Sequence, residues 1–365
     1  MKISEVGQGD FKNVIVSFSQ TTDVEESKLK RVAKGVNCRL DKYLGSCFIS
    51  FSLPELRQFI NECQKLYYFQ DEIGTLTQIQ KGKELHFKGK NFDFDLTLEP
   101  IIYSIVNCTP DSYYDGNKYN QVPAALKKIE SDLIHGAAVI ELGGKSTRPD
   151  FKEISPETEW QRLAPTIKAV RKEYPNVVLA IDTDCAYVMK RALDEYGVDI
   201  INDVYGFDNQ EKLAVISEYQ PSLIVMNNGR NNRKNEVFKL KCAFQERLAE
   251  IISSGIDKEQ IVIDAGVGFS LNGSPREDMV RIKLTRQLRE LDFPLMIAIS
   301  RKSFMGKLFD IDIKDRLAGT ILFESLMIQN GGNVLRVHDV KETKQMLEML
   351  KYYESITLED FNGNF

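Results

Sequence analysis

From about residue 101 the chain repeats one pattern: short runs of Val, Ile and Leu alternate with longer stretches whose apolar residues recur every three or four positions. The short runs are IIYSIV (101–106), AAVIEL (137–142), VVLAID (177–182), VDIIND (198–203), SLIVM (222–226), QIVID (260–264), LMIAIS (295–300) and NVLRV (333–337). Without an in/out polarity they read as strands covered on both faces, as in a parallel sheet. The stretches between them, such as VPAALKKIESDLI (122–134) and ETEWQRLAPTIKAVRKEY (157–174), have helical period and length. Eight strands alternating with eight helices predict an α/β fold, a closed (β/α)8 TIM barrel. An open doubly wound sheet is the alternative, because periodicity does not report closure.

The first eighty or so residues do not share this rhythm. NVIVSFSQ (13–20) and CFISFS (47–52) read as strands, and VEESKLKRVAKGV (24–36) and LPELRQFINECQKLYYF (53–69) as helices. Ser52, with Glu55 three residues later, opens the second helix as a capping box. The sequence thus predicts a small N-terminal α/β domain over 1–82 and a barrel over 83–365. LHFKGKNFDFD (85–95) reads as a hairpin leading into the barrel and closing its floor.

An apolar content of 42% supports a globular core, and a net charge of −5 gives no broad attraction to nucleic acid or to an anionic membrane. Any anion site is therefore a local cluster of Lys and Arg. Six cysteines with no CxxC pair, and only three histidines, argue against structural zinc. No apolar run approaches the roughly 20 residues of a membrane span, and the N-terminus lacks a signal-peptide pattern. These features predict a soluble, cytoplasmic protein with reduced thiols.

In such a barrel the C-terminal strand ends share one rim, which carries the active site. Here those ends hold Asn107, Glu141, Asp182, Asn202 with Asp203, Asp264, Ser300–Arg301–Lys302, and Arg336 with His338. Each alone has a plainer reading. A lone Asp182 caps a helix, Asn202–Asp203 orders a turn, and Lys302 or Arg336 is a solvated charge. Cys108 has no partner base at an interpretable position, and Trp160 lies in an amphipathic helix, so both read as core. Seven loaded strand ends together indicate a pocket. Asp182, Asn202 and Asp264 suit a planar heterocycle with several ring N–H groups. Arg148, Arg301, Lys302, Arg336 and His338 suit an anion such as diphosphate.

At these residues the chain resembles the dihydropteroate synthase family of pterin-binding barrels. The motifs are NCTPDSYYDG (107–116), GGKSTRP (143–149), IDT (181–183), DIINDVYGF (199–207), IDAGVGF (263–269), ISRKSFMG (299–306), RLAGT (316–320) and RVHDV (336–340), in the family's order over roughly 84 to 352. The resemblance implies condensation of 6-hydroxymethyl-7,8-dihydropterin diphosphate with p-aminobenzoate. It implies that Asn107 binds Mg²⁺ and diphosphate. Thr109 and Asp111 would belong to a lid over 109–116 that closes with the KSTRPDF loop (145–151). Asp182, Asn202, Asp264 and Lys302 match the pterin grip, with Met226, Phe269 and Arg336 against its faces. Arg148, Arg336 and His338 match the diphosphate site, and Thr147, Pro149 and Ser303 border the p-aminobenzoate pocket. Asp182, Asp264, Lys302, Arg336 and His338 would form the catalytic set.

Several positions depart from the family pattern. Glu141 stands where the family has Asp, Lys145 where it has Glu, Asn227 where it has His, and Ala298 where it has Gly. Lys145 is expected to pair with Glu141 or Asp111. Two alternatives stay open: a pterin-dependent methyltransferase, disfavoured by Arg148, Lys302 and His338, and a non-catalytic pterin-binding paralogue, favoured by the altered GGKSTRP loop. The partners implied are the two small substrates and a second copy of the chain, meeting through late helices that include RLAGTILFESLMIQN (316–330).

Overall fold

A computed structural model describes residues 1–8, 13–109, 122–145, 153–228, 239–270 and 273–356. Asp111, Thr147, Arg148 and Pro149 lie outside the described residues. The chain divides into two compact units, Met1–Glu84 and Leu85–Phe365, where the sequence pattern puts the division at 82/83.

The first unit contains β1 (Lys2–Gln8), β2 (Asn13–Ser19), α1 (Asp23–Gly35), β3 (Leu40–Tyr43), β4 (Ser46–Ser52), α2 (Leu53–Lys65) and α3 (Ile73–Lys81). Its strands form an antiparallel sheet in the order β1-β2-β4-β3. Alternate residues Val14, Val16 and Phe18 of β2, and Cys47, Ile49 and Phe51 of β4, pack with Leu29 and Val32 of α1 and Leu56, Phe59 and Cys63 of α2. That period of two is what a sheet with one covered face requires. The Ser52–Glu55 capping box is present, and Thr22 with Glu25 forms a second at the start of α1. Helix α2 stops at Lys65, short of the 69 expected, because the backbone turns left-handed at Tyr67 (φ 52°) and Phe69 (φ 55°).

The second unit opens with a hairpin, β5 (His86–Gly89) and β6 (Phe92–Asp95). Then come β7 (Ile101–Asn107), α4 (Val122–Ile134), β8 (Ala137–Gly143), α5 (Pro156–Glu173), β9 (Val178–Asp182), α6 (Ala186–Tyr196), β10 (Ile200–Asp203) and α7 (Gln210–Tyr219). They are followed by β11 (Ser222–Met226), α8 (Leu240–Ser253), β12 (Ile261–Asp264), α9 (Pro275–Leu288), β13 (Leu295–Ile297), α10 (Ser303–Phe309), α11 (Leu317–Gln329), β14 (Val334–Val337) and α12 (Val340–Ser355). Strands β7 to β14 pair in parallel in sequence order, and β14 pairs with β7, closing the barrel. This settles the choice against an open sheet.

The strands bury both faces, but with different partners. Ile102, Val106, Ile140, Leu142, Leu179, Ile181, Leu223, Val225, Ile261, Ile263 and Leu335 pack with the helices, together with Trp160 and Cys108. The alternate residues Tyr103, Val139, Ala180, Ile200, Ile224, Val262, Met296 and Val334 fill the barrel interior with Phe87 from β5. The hairpin closes the end where the strands begin. The Ser222 hydroxyl donates to the Lys88 carbonyl (2.6 Å), the Asn91 amide donates to Asp199 Oδ1 (2.9 Å), and Lys90 Nζ donates to the Tyr219 carbonyl (2.8 Å). Among the described residues no helix is long and apolar enough to cross a membrane.

Candidate active site

At the C-terminal strand ends lies a cavity of about 120 Å³. Its lining includes Asn107, Thr109, Lys145, Asp182, Asn202, Met226, Asp264, Phe269, Lys302, Ser303, Arg336 and His338. Among the described residues, those expected at the metal, pterin, diphosphate and p-aminobenzoate positions all line this one cavity, whereas Glu141 and Asp203, named with them at the strand ends, do not. These residues converge because each sits at or just beyond a strand end, from β7 round to β14.

The centre is an ion network. The guanidinium of Arg336 on β14 donates through Nε to Glu141 Oε1 (2.8 Å), and through Nη2 to the same carboxylate and to Asp182 Oδ2 (2.6 Å). The other oxygen of Glu141 accepts from the Asn202 amide at 2.9 Å. Glu141 is fully buried, so one carboxylate orients both an arginine and an amide at the cavity wall. Burial pushes the Asp182 carboxyl up and Arg336 pulls it back, while the two carboxylates hold the guanidinium firmly protonated.

A second group comes from the loops after β12 and β13. Asp264 accepts from the Gly266 N–H at 2.8 Å, and burial raises its carboxyl, opposed chiefly by Lys302. Lys302 reaches the Val267 carbonyl and stands 5.1 Å from the Phe269 ring centre. Desolvation lowers its ammonium to about 8, with Asp264 opposing. Two glycines make this loop possible. Gly266 has φ +70°, and a Cβ there would stand 2.3 Å from the Asn227 carbonyl; Gly268 has φ +90°, and a Cβ there would stand 2.9 Å from the Lys302 stem. Met226, Phe269 and Val204 form a small apolar cluster at the cavity.

Two readings are revised, for Lys145 and Arg301. Lys145 does not pair with Glu141, whose oxygens are taken by Asn202 and Arg336; it bonds both oxygens of Asp184 (3.0 Å each) and approaches Glu153 at 3.4 Å. Asp111, its other expected partner, is outside the described residues. Arg301 also lines the cavity, but its guanidinium is engaged within the fold. It is committed in bidentate fashion to Asp339 (2.7 and 2.9 Å) and to the Ile313 and Lys314 carbonyls (3.2 and 3.0 Å). Asp203 orders the turn after β10 through the Tyr205 and Phe207 N–H groups (3.0 and 2.7 Å) and binds Lys212 at 2.9 Å. Cys108 is buried, and that burial raises its thiol to about 11, which suits core packing and not a nucleophile.

Supporting residues were missed in the sequence. Arg281 on α9 is fully buried and donates to the Ala265 carbonyl at 2.6 Å, bracing the loop that carries Asp264. Asp278 accepts from the Gly268 N–H at 2.7 Å. Both lie on an ordinary amphipathic helix, and no local pattern marks them.

The family model described as "Pterin binding enzyme" matches residues 103–338, wholly within the second unit. The chain belongs to the dihydropteroate synthase family of pterin-binding enzymes. A dihydropteroate synthase of Clostridium beijerinckii is 30% identical over 260 residues, covering 70% of this chain and 95% of that protein. The Yersinia pestis dihydropteroate synthase, solved with a sulfonamide drug, superposes with a TM-score of 0.69 at 27% identity, covering 74% of this chain and all of the other. The Xanthomonas albilineans dihydropteroate synthase, solved with 4-aminobenzoic acid, gives 0.68 at 28% identity, covering 75% of this chain and all of the other. The first unit lies outside the span matched by the pterin-binding family model.

Proposed function

We propose that this chain is a dihydropteroate synthase, a transferase of folate biosynthesis that joins 6-hydroxymethyl-7,8-dihydropterin diphosphate to p-aminobenzoate and releases diphosphate. The observation that carries this reading is the convergence of Asp182, Asn202, Asp264 and Lys302 with Arg336 and His338 in one cavity.

In this reading the carboxylates of Asp182 and Asp264 accept from the pterin N–H groups, the Asn202 amide both donates and accepts, and the Lys302 ammonium donates to a ring acceptor. Met226 and Phe269 cover the ring faces. Arg336 and His338 hold the diphosphate, and Ser303 borders the arylamine. The reaction breaks the C–O bond to diphosphate and leaves positive charge on the exocyclic carbon, delocalised into the dihydropterin. The arylamine nitrogen forms the new C–N bond and loses a proton. Since an arylamine is already a nucleophile, the residues supply orientation and stabilise the departing anion, and no nucleophile–base pair is needed.

Mg²⁺ belongs to the same reading. Asn107 lines the cavity, and Gly143 leaves its amide oxygen room, since a Cβ there would stand 3.3 Å from Oδ1. Among the described residues no group of three His, Cys, Asp or Glu could hold a metal. A single amide suits an ion held mainly by substrate phosphate oxygens and water. Bound there, Mg²⁺ would neutralise charge on the leaving diphosphate.

A homodimer is part of the proposal. Helix α11 leaves Leu322 and Leu326 exposed, and α12 leaves Met349, Tyr352 and Tyr353 exposed, an apolar surface suited to a second copy. A cytoplasmic location agrees with six free thiols. Purified protein should release diphosphate only when both substrates and Mg²⁺ are present. Pterin binding without diphosphate release under those conditions would favour a non-catalytic paralogue.

A further inference from the structure

We infer that Ser300 is a positioning residue that fixes His338 as its Nε2–H tautomer, so that the ring offers the diphosphate a neutral N–H donor. This rests on the synthase reading only for the identity of the anion; the tautomer is argued from the two hydrogen bonds between Ser300 and His338.

Ser300 follows β13 and is 7% exposed. Among the described residues its hydroxyl oxygen has two partners, both on one residue: the backbone N–H of His338 at 3.3 Å and its Nδ1 at 3.0 Å. A backbone N–H can only donate, so Ser300 Oγ accepts there. If Nδ1 also carried a proton, Oγ would accept twice, and its own O–H would lack an acceptor among the described residues. Leaving such a donor unpaired costs about 1–3 kcal/mol. With Nδ1 bare, the hydroxyl donates to it and all three groups are satisfied, which leaves the ring proton on Nε2.

The rest of the residue is held as firmly. Lys128 on α4 donates to the His338 carbonyl at 3.2 Å and is itself anchored on Asp132, at 2.5 Å from Oδ1; the Ser104 hydroxyl bonds the same carboxylate. The charges around the ring favour the neutral form. Arg336, Arg301 and Lys128 oppose an imidazolium, and Asp339, which favours one, is engaged by Arg301. Burial first, and then Arg336, lowers His338 to about 3. The anion would thus meet its positive charge at Arg336 and Lys302 and a directional neutral donor at His338.

The chain has three histidines, so tautomers can be read directly from long-range ¹H–¹⁵N correlation spectra of the ¹⁵N-histidine-labelled protein, with His338→Gln assigning the signal. The wild type without ligand should show His338 with a bare Nδ1 and a protonated Nε2 across neutral pH. Ser300→Ala should give a mixture of tautomers. It should also raise the KM for the dihydropterin diphosphate and the Kd for inorganic diphosphate about five- to tenfold, as loss of one oriented hydrogen bond predicts. Binding of 6-hydroxymethylpterin without diphosphate should not change, and Ser300→Thr should restore both the spectrum and the diphosphate affinity. A wild-type His338 protonated on Nδ1, or a Ser300→Ala protein with unchanged tautomer and diphosphate affinity, would overturn the inference. A wild type with the Nε2–H tautomer but no synthase activity would support the inference while counting against the proposed reaction.

Discussion

The floor and the rim of the barrel are made by the same strands, two residues apart. Val139, Ala180, Ile200, Ile224, Val262 and Val334 pack in the floor cluster under Phe87. Two positions on, the same strands carry Glu141, Asp182, Asn202, Met226, Asp264 and Arg336. One pleat repeat, about 6.6 Å of strand, takes the interior from hydrocarbon to a network of charges. Stability and chemistry are therefore separated along the barrel axis and not assigned to different elements. The floor gains from burying apolar surface. The rim instead holds Glu141, Asp182 and Arg336 out of water, at a desolvation cost that only their mutual pairing offsets.

Breaking the floor should cost the most stability and the least chemistry. Phe87→Ala removes a fully buried ring that meets Phe92 at 5.2 Å, and should destabilise the barrel by about 3–5 kcal/mol in denaturant titrations. At temperatures where the variant stays folded, kcat/KM should match the wild type. A drop in kcat/KM without a drop in stability would mean the two ends are not separable.

A smaller effect probes the rim through pH. Lys302 has its ammonium lowered from 10.5 to about 8. A lysine with a depressed folded value destabilises the folded state most where it stays charged, so its contribution improves as pH rises from about 8 towards 10.5. In the proposed reading the pterin accepts from the charged ammonium, so its binding should weaken as pH rises through about 8. Lys302→Arg should move that alkaline limb out of reach, whatever it does to the affinity at neutral pH. Pterin affinity that stays flat from pH 7 to 9.5 in the wild type would remove Lys302 from the grip.

The smallest effect is expected at the edge of the rim. Lys145 sits between Asp184 and Glu153, so Lys145→Glu would place three carboxylates together. Stability should fall by about 1 kcal/mol and turnover should not rise. A clear rise in turnover would mean the lysine impairs the loop.

Much of this was legible in the chain. The eight-fold rhythm specifies the barrel because each parallel strand needs a covering helix, and its strand ends name the cavity wall before any contact is known. Closure was not legible, since the β14–β7 pairing joins segments more than two hundred residues apart. In the first unit β1, β3 and α3 escaped notice for a different reason. KISEVGQ and LDKY carry exposed polar residues at sheet edges, and IGTLTQIQK holds Gly and Thr, poor helix formers. Partners of charged residues were the least legible part. Arg301 and Lys302 are neighbours in sequence and both line the cavity, yet Arg301 bonds Asp339 and two carbonyls while Lys302 reaches the Val267 carbonyl. Only the side-chain directions separate them.

The central claim is that the interior carboxylates grip a pterin independently of the anion site. Asp264→Asn tests it most directly. Asp264 accepts as an ion, whereas an amide accepts at one atom only and turns an N–H₂ towards a ring donor. Isothermal calorimetry on wild type and variant should show pterin affinity falling at least about tenfold, the loss of one charge-assisted hydrogen bond of roughly 1.5–3 kcal/mol. Affinity for inorganic diphosphate with Mg²⁺ should stay within about twofold, because Asn107, Arg336 and His338 are untouched. Unchanged pterin affinity in a folded Asp264→Asn protein, or an equal loss for both ligands, would contradict the account.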